Sequence, residues 1–402
     1  MELLQEILKQ AEGLAEELAA LRREFHQYPE LSHQEERTAG VVARYLRDLG
    51  LEVATGIAEH GVVGTLTGAR AGNTVAWRAD MDALPLEEKV AAPWCSKVPG
   101  VMHACGHDFH MSIGLAAARL LSGFRDRLAG KFRFIFQPAE EGPPKADKSG
   151  AQGMVAAGVL KDPEVDAICA LHVAPNLDMG VVRYSREVVM AGSDRVFLTV
   201  TGKAAHGATP HRGVDPILVS AQALMQIQGF LAQRIDARHP VILTFGRIAG
   251  GNRFNILADQ VELEGSFRYL QESVRQEAQQ GLKGLMSGLA QGTGSRIELD
   301  FQPTYPLLRN DAALSARAVE ILSQVLGENR LKLHHPAMGS EDFSYYAAKV
   351  PAFYFFLGVR TPGVKGQALH SPEFNPDEAA LVWGLKAAAG LLVGLSEASS
   401  KD

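Results

Sequence analysis

Apolar residues at Leu4, Ile7, Leu8, Ala11, Leu14, Leu18 and Leu21 recur at spacings of three and four, which predicts an amphipathic helix over residues 3–24. A second helical stretch runs from about Ser32 to Leu49 and stops at Gly50, a residue suited to ending a helix. Short β-like runs follow, Gly61 to Leu66 and Thr74 to Arg78. Helix and strand then keep alternating, with KFRFIFQP and VDAICALH as the next strand candidates. This order predicts an α/β fold, a mixed sheet flanked by helices.

The middle of the chain has a different rhythm. RVFLTVT (195–201) predicts a strand, and Asp215-Pro216 opens a helix with a capping carboxylate and a proline in its first turn. Ile217, Ala221 and Leu224 are predicted to share one face of that helix. Two strand candidates come next, VILTFGRI and QVELEGSFRYL; in the second, Val261 and Leu263 alternate with Glu262 and Glu264. A helix from about Ser273 to Leu289 and the strand RIELDFQ complete a β-α-β-β-α-β order, that of a ferredoxin-like α+β unit. It is placed at residues 187–301, as an insertion between residues 1–186 and 302–402. Beyond it, PAFYFFLG predicts a buried strand and a helix runs from about Pro376 to Leu395.

Composition narrows the class. The 402 residues suggest two domains, and 46% apolar with 21% charged residues is ordinary for a globular enzyme. The net charge of -6 and scattered Lys and Arg do not suggest nucleic acid. No apolar run is long enough to span a bilayer, so no membrane partner is expected. The N-terminus lacks the basic start and apolar run of a secretory signal. Three cysteines, Cys95, Cys105 and Cys169, are too few for a disulfide framework and point to a reducing compartment, so the cytoplasm is expected.

Four segments carry candidate chemistry. In His103-Ala-Cys105-Gly-His107-Asp108, thiolate and imidazole suit zinc-like metals, although a buried structural cysteine beside a helix-starting histidine has the same pattern. Glu140 and Glu141 follow the strand KFRFIFQ, where α/β folds place active sites; a solvated acidic turn reads the same way. His172 ends another apolar strand and His370 lies in LHSPEF. Each alone is an ordinary polar residue, but the four together at strand ends and nearby loops are harder to explain separately.

From about Arg23 to Leu381 the chain resembles the aminoacylase and carboxypeptidase superfamily of dinuclear metallohydrolases. Its branch is that of the N-acyl-amino-acid amidohydrolases, which include hippurate hydrolases and plant indole-acetyl-amino-acid hydrolases. The motifs are FHQYPELSHQE, RADMDALP, GVMHACGHDFH, FQPAEEG, LHVAPNL, AAHGATPHRGVDP, NILAD, MGSEDFSYY and LHSPEFN. The resemblance implies a metallopeptidase-like catalytic domain interrupted by a lid that also serves dimerisation. It implies two divalent metal ions held by Cys105, His107, Glu141, His172 and His370, with Glu140 as general base. His206, on the lid, would reach the active site of a partner subunit and steady the developing oxyanion. Asn255 and Arg268 would contact the substrate carboxylate, and Asp80 and Asp82 would orient the metal-bound imidazoles. His110 and His211 are read as structural. Phe109 departs from the family, which has a smaller residue there.

The expected activity is hydrolysis of the amide bond of small-molecule N-acyl amino acids by a homodimer or homotetramer, with zinc, manganese, cobalt or nickel. A dipeptidase or carboxypeptidase of the same superfamily is one alternative, and a metal-containing binding protein without catalysis is another. A Cys105 nucleophile paired with a histidine would be a different enzyme altogether. As a metal ligand, Cys105 is expected to become more open to oxidation when the metal leaves. His370 lies beyond the ferredoxin-like segment while the other four ligands precede it, so one metal site requires the flanking segments to fold together.

Overall fold

The computed structural model describes residues 2–142 and 149–397. They form two compact units: residues up to Val189 with Arg309–His335 and the chain from Asp342 onward, and Met190–Leu308 with Pro336–Glu341.

The first unit is built on an eight-stranded mixed sheet. Its strands run in the order Glu52–Ile57, Gly61–Thr67, Ala129–Gln137, Arg70–Asp80, Ala167–Asp178, Ala352–Arg360, Val182–Tyr184 and Leu331–Leu333. The four central strands, from Ala129–Gln137 to Ala352–Arg360, are parallel to one another. Their near-continuous burial is the pattern of strands covered on both faces. Helix His107–Ser122 is buried along almost its whole length, and Ala380–Ser396 packs against it. Trp77, Phe109, Phe132, Phe134 and Phe136 fill the core around them.

The predicted N-terminal helix is two helices, Glu2–Glu12 and Ala15–Gln27, separated at Gly13 and Leu14. The second helix starts at Glu36 rather than Ser32. Ser32 and His33 form a turn, with His33 at φ 62°, and the side chains of Ser32 and Glu35 are used at Asp82 and Ala139.

The second unit has strands Gly192–Thr201, Val241–Gly250, Gln260–Tyr269 and Arg296–Tyr305, with helices Pro216–Arg234 and Glu272–Thr293. All its strand pairings are antiparallel, and the first strand lies between the last and the third. Asp215 caps its helix as expected, accepting from the Ile217 and Leu218 N–H groups. The buried stripe of that helix is Val219, Ala223 and Ile227, not the predicted Ile217, Ala221 and Leu224 row: Ile217 is 50% exposed. Val261, Leu263 and Phe267 from the alternating strand complete this smaller core.

Candidate metal centre

Strands Arg70–Asp80 and Ala129–Gln137 end side by side, with Asp80 opposite Gln137 in register. Beyond Gln137 the chain turns through Ala139, whose φ of 50° lies in the left-handed region. The Glu35 carboxyl accepts the Ala139 N–H at 2.8 Å, and the Ala139 carbonyl accepts from Gly150 at 3.0 Å. A Cβ at Gly150 would lie 1.6 Å from the Pro138 oxygen, so only glycine lets helix Gly150–Ala156 come this close. This turn delivers Glu140 and Glu141.

Cys105 and His107 flank Gly106, which has φ 86° and touches strand Ala167–Asp178 so closely that a Cβ would meet Val173 Cγ2 at 2.4 Å. His172 stands on that strand. His370, at φ 58°, is anchored by its N–H on the Ala104 carbonyl at 2.9 Å. Segments far apart in sequence thus meet at one place, at or near the C-terminal ends of parallel strands.

Cys105 Sγ lies 3.3 Å from His172 Nε2 and 3.3 Å from His370 Nε2. His370 Nε2 is 3.2 Å from Glu141 Oε1, and His107 Nε2 is 3.9 Å from both Glu140 Oε2 and Glu141 Oε1. Ligand atoms of Cys105, His107 and His172 fall within 4.8 Å of one another, as do those of Cys105, Glu141 and His370, and those of His107, Glu140 and Glu141.

These residues fit divalent ions on three grounds. His107 Nδ1 donates to the Asp82 carbonyl at 2.8 Å and His172 Nδ1 to the Val173 carbonyl at 2.8 Å, which leaves each Nε2 lone pair for a metal. His107 Nε2 is buried without a hydrogen-bond partner, and the buried Glu141 Oε1 is approached by His370 Nε2 at 3.2 Å. The donor set of thiolate, imidazoles and carboxylate is the one zinc and its neighbours prefer.

Asp80 and Asp82 stand behind these donors. Asp82 Oδ2 accepts from Ser32 Oγ at 2.7 Å and from the Glu141 N–H at 3.0 Å, so Asp82 aligns His107 through its carbonyl and Glu141 through its carboxylate. Asp80 accepts from Arg78 and from His110 Nδ1, and its Oδ2 is 3.8 Å from His107 Nε2. His110 Nε2 accepts the Val173 N–H at 3.0 Å, so both of its nitrogens are engaged, in keeping with a structural role. Phe109 is fully buried in the core.

Electrostatics follow from this packing. Burial pushes the Asp80 carboxyl up, but the Arg78 guanidinium, His107 and His110 override it and hold it well below the carboxylate range. Burial opposes charge on His107, yet Asp80 and Asp82 keep its pKa at about 10. Burial, then Glu141 and Glu140, push the Cys105 thiol well above its ordinary value. In metal-free protein this thiol is therefore protonated and only 6% exposed.

The other predicted residues lie in the second unit. The exposed His206 accepts the Ala208 N–H on Nδ1 at 3.1 Å, which puts its proton on Nε2. Its loop is joined to that of Asn255: Gly207 donates to the Asn255 carbonyl at 2.9 Å and His206 bridges to Ile256. Arg268 is not open on all sides; its Nη1 donates to the Met338 carbonyl at 2.9 Å and to Ser340 Oγ at 3.2 Å. His211 lies exposed on a single 3-10 turn, Pro210–Arg212.

Several supporting residues were not anticipated from sequence. Arg78 donates to Gln137 Oε1 at 2.9 Å and to Asp342 Oδ1 at 2.7 Å, and Gln137 returns a bond to Asp342 at 2.8 Å. Arg22 and His26 both reach Asp108 at 2.8 Å. The signal for this second group was present: Arg22 and His26 share the buried helix face of Leu18, Leu21 and Phe25, where unpaired charge would be costly. His103 is buried with neither ring nitrogen hydrogen-bonded, and burial pushes it down to about 3.

Residues 76–393 match the model of peptidase family M20/M25/M40. The chain is similar to thermostable carboxypeptidase 1 of Saccharolobus solfataricus, at 38% identity over 98% of this chain and 100% of that protein. It is similar to N-acetyl-L-cysteine deacetylase of Bacillus subtilis, at 34% identity over 92% of this chain and 86% of that protein. Among solved structures, a Bacillus subtilis dinuclear metal-binding peptidase from the M20 family superposes with a TM-score of 0.82 at 32% identity, covering 96% of this chain and 99% of that one. With the fold, the convergent donors and the extent of these matches in hand, the chain belongs to peptidase family M20/M25/M40 and is a hydrolase of that family.

Proposed function

We propose that the protein hydrolyses the amide bond of N-acyl amino acids, releasing a free amino acid and a carboxylic acid. The observation that carries this reading is the meeting of Cys105, His107, Glu141, His172 and His370 around one small volume, with Glu140 beside them. Bound there, two divalent ions supply Lewis acidity to the carbonyl and lower the pKa of water. Zinc, manganese, cobalt and nickel all suit the donors.

In this reading Glu140 takes the proton of the attacking water and delivers it to the departing nitrogen. Glu141 is the ligand of the pair, since the Asp82-anchored N–H and the contact with His370 turn it toward Cys105. His206 presents an Nε2–H suited to donating to an oxyanion, and it would act across a dimer or tetramer from the partner subunit. The inserted unit would then serve as lid and dimerisation domain, with junctions near 186 and 302. Asn255 shares the His206 loop cluster and would take the substrate carboxylate together with Arg268, whose remaining N–H groups suit a carboxylate. The three cysteines are unpaired, which supports a reducing compartment, the cytoplasm. No helix among the described residues is long and apolar enough to cross a membrane.

A carboxypeptidase reading is favoured by the 38% and 37% identities to two proteins of that name. An activity screen of N-acetyl and N-benzoyl amino acids against dipeptides, after chelation and metal add-back, separates the two. The proposal expects activity on the acyl substrates that is lost on chelation and restored by metal. Activity confined to peptides, or indifferent to chelation, would count against it.

A further inference from the structure

Strand Ala352–Arg360 lies between Ala167–Asp178 and Val182–Tyr184. Across these three strands His172, Phe356 and Arg183 are direct register partners. Their side chains therefore stand in one row on one face of the sheet. The neighbouring residues agree, since Leu171, Val173, Phe355, Leu357, Val182 and Tyr184 all belong to the core on the opposite face. The row begins at a donor of the metal centre and ends at Arg183, two strand spacings or about 10 Å away.

The Arg183 guanidinium carbon stands 5.1 Å from the centroid of the Phe356 ring. The His334 ring lies edge-on to the same ring at 6.3 Å, held by the His334 N–H on the Tyr184 carbonyl at 2.9 Å. His335 follows it. Arg183 Nε is buried with no hydrogen-bond partner, and among the described residues no carboxylate forms an ion pair with Arg183, His334 or His335. Burial pushes the Arg183 guanidinium below its usual range, and burial, then Arg183 and His335, push His334 down.

Stacking on Phe356 alone would account for an arginine that covers an aromatic ring. Such stacking uses the guanidinium face and leaves the N–H edges without an acceptor. A half-buried guanidinium with unmet donors and only basic neighbours is the environment that a bound anion relieves.

We propose that Arg183, with His334 beside it and Phe356 as its floor, is a subsite for an anionic group of the substrate, a carboxylate carried beyond the amide that is cut. This rests on reading the metal centre as the hydrolytic site. The carboxylate has two possible sources: the far end of a dicarboxylic acyl group, or the side chain of an acidic amino acid.

The test separates these sources and also separates the subsite from the hydrolase reading. Calorimetry of glutarate and butyrate on the metal-loaded full chain compares a dicarboxylate with a monocarboxylate of similar reach. Glutarate is expected to bind about tenfold more tightly, the worth of one charge-assisted pair. Most of that advantage should vanish in Arg183→Gln and in Arg183→Met, the latter retaining apolar contact with Phe356. Thermal melts identify any variant that is misfolded. Equal binding of the two acids by the natural protein, or an advantage that survives both folded variants, overturns the proposal whether or not any amide is cut. An Arg183-dependent advantage without hydrolysis of any acyl substrate would leave the subsite standing and remove the hydrolase reading. Where hydrolysis is measurable, kcat/KM is compared for N-glutaryl against N-butyryl methionine, and for N-acetylglutamate against N-acetylglutamine. A preference within the first pair that Arg183→Gln abolishes assigns the acyl side, and one within the second assigns the amino-acid side. No preference in either pair overturns the proposal.

Discussion

The Glu35 carboxyl accepts the Ala139 backbone N–H at 2.8 Å, immediately before the two glutamates of the metal centre. Ala139 is in the left-handed region, which an alanine adopts only when its surroundings impose it. Removing the acceptor should let that turn relax and displace Glu140. Glu35→Ala is expected to lower kcat by about tenfold to a hundredfold, the cost of a small misplacement of a reacting group. Glu35→Gln keeps an acceptor and should stay closer to the natural enzyme. Equal kcat for all three proteins, at matched metal content, would contradict this role.

Glu35 also predicts how the metal-free protein responds to pH. Burial, with Asp82 adding like charge, raises its pKa from 4.5 to about 8. Between those values the folded state keeps a proton that the unfolded state has released. Stability from this group is therefore present below about pH 4.5 and is lost as pH rises through 8. Denaturant midpoints of chelated protein should show a downward slope over pH 5–8 that is flatter in Glu35→Gln. Parallel slopes for the two proteins would show that Glu35 does not titrate there.

Metal binding should release protons. In the metal-free state the Cys105 thiol is held well above its ordinary pKa and His107 at about 10, and both must deprotonate to coordinate. Metal affinity at neutral pH should rise with pH by about tenfold per unit for each proton displaced. Calorimetry in buffers of different ionisation enthalpy counts those protons. Alkylation of metal-free Cys105 should be slower than that of a free thiol at the same pH, because its thiolate fraction is smaller.

Glu140→Gln should lower turnover on the order of a hundredfold to ten-thousandfold with metal content unchanged, because the amide cannot accept the proton of water. Near-normal turnover would reassign the base or favour a binding protein.

His206→Ala is expected to lower turnover strongly at constant metal content. The Nε2–H that its Ala208 contact enforces is lost in this variant. Mixing it with a subunit inactivated at Glu140 tests action between subunits: mixed dimers should recover activity that neither parent has.

How far the chain could be read depended on the range of the interactions. The strands and helices, the β-α-β-β-α-β order and the chemical nature of the donors were legible because periodicity and residue type are local. Cys105, His107, Glu140 and Glu141 sit in short segments whose spacing is itself a signal. The face of helix Pro216–Arg234 was misjudged because two apolar stripes compete there and only packing on the sheet selects Val219, Ala223 and Ile227.

By itself the sequence determined the type of the main central strands and helices and the set of groups able to bind metal, since both follow from side chains and their neighbours along the chain. Tertiary structure alone decided which nitrogen of His107 and His172 faces the centre, why Glu35 and Asp82 matter, and that His172, Phe356 and Arg183 form one row. Those facts arise from hydrogen bonds and strand register, the register pair Phe356 and His172 lying 184 positions apart (356 − 172). Register and carbonyl direction are properties of the folded backbone that no local pattern encodes.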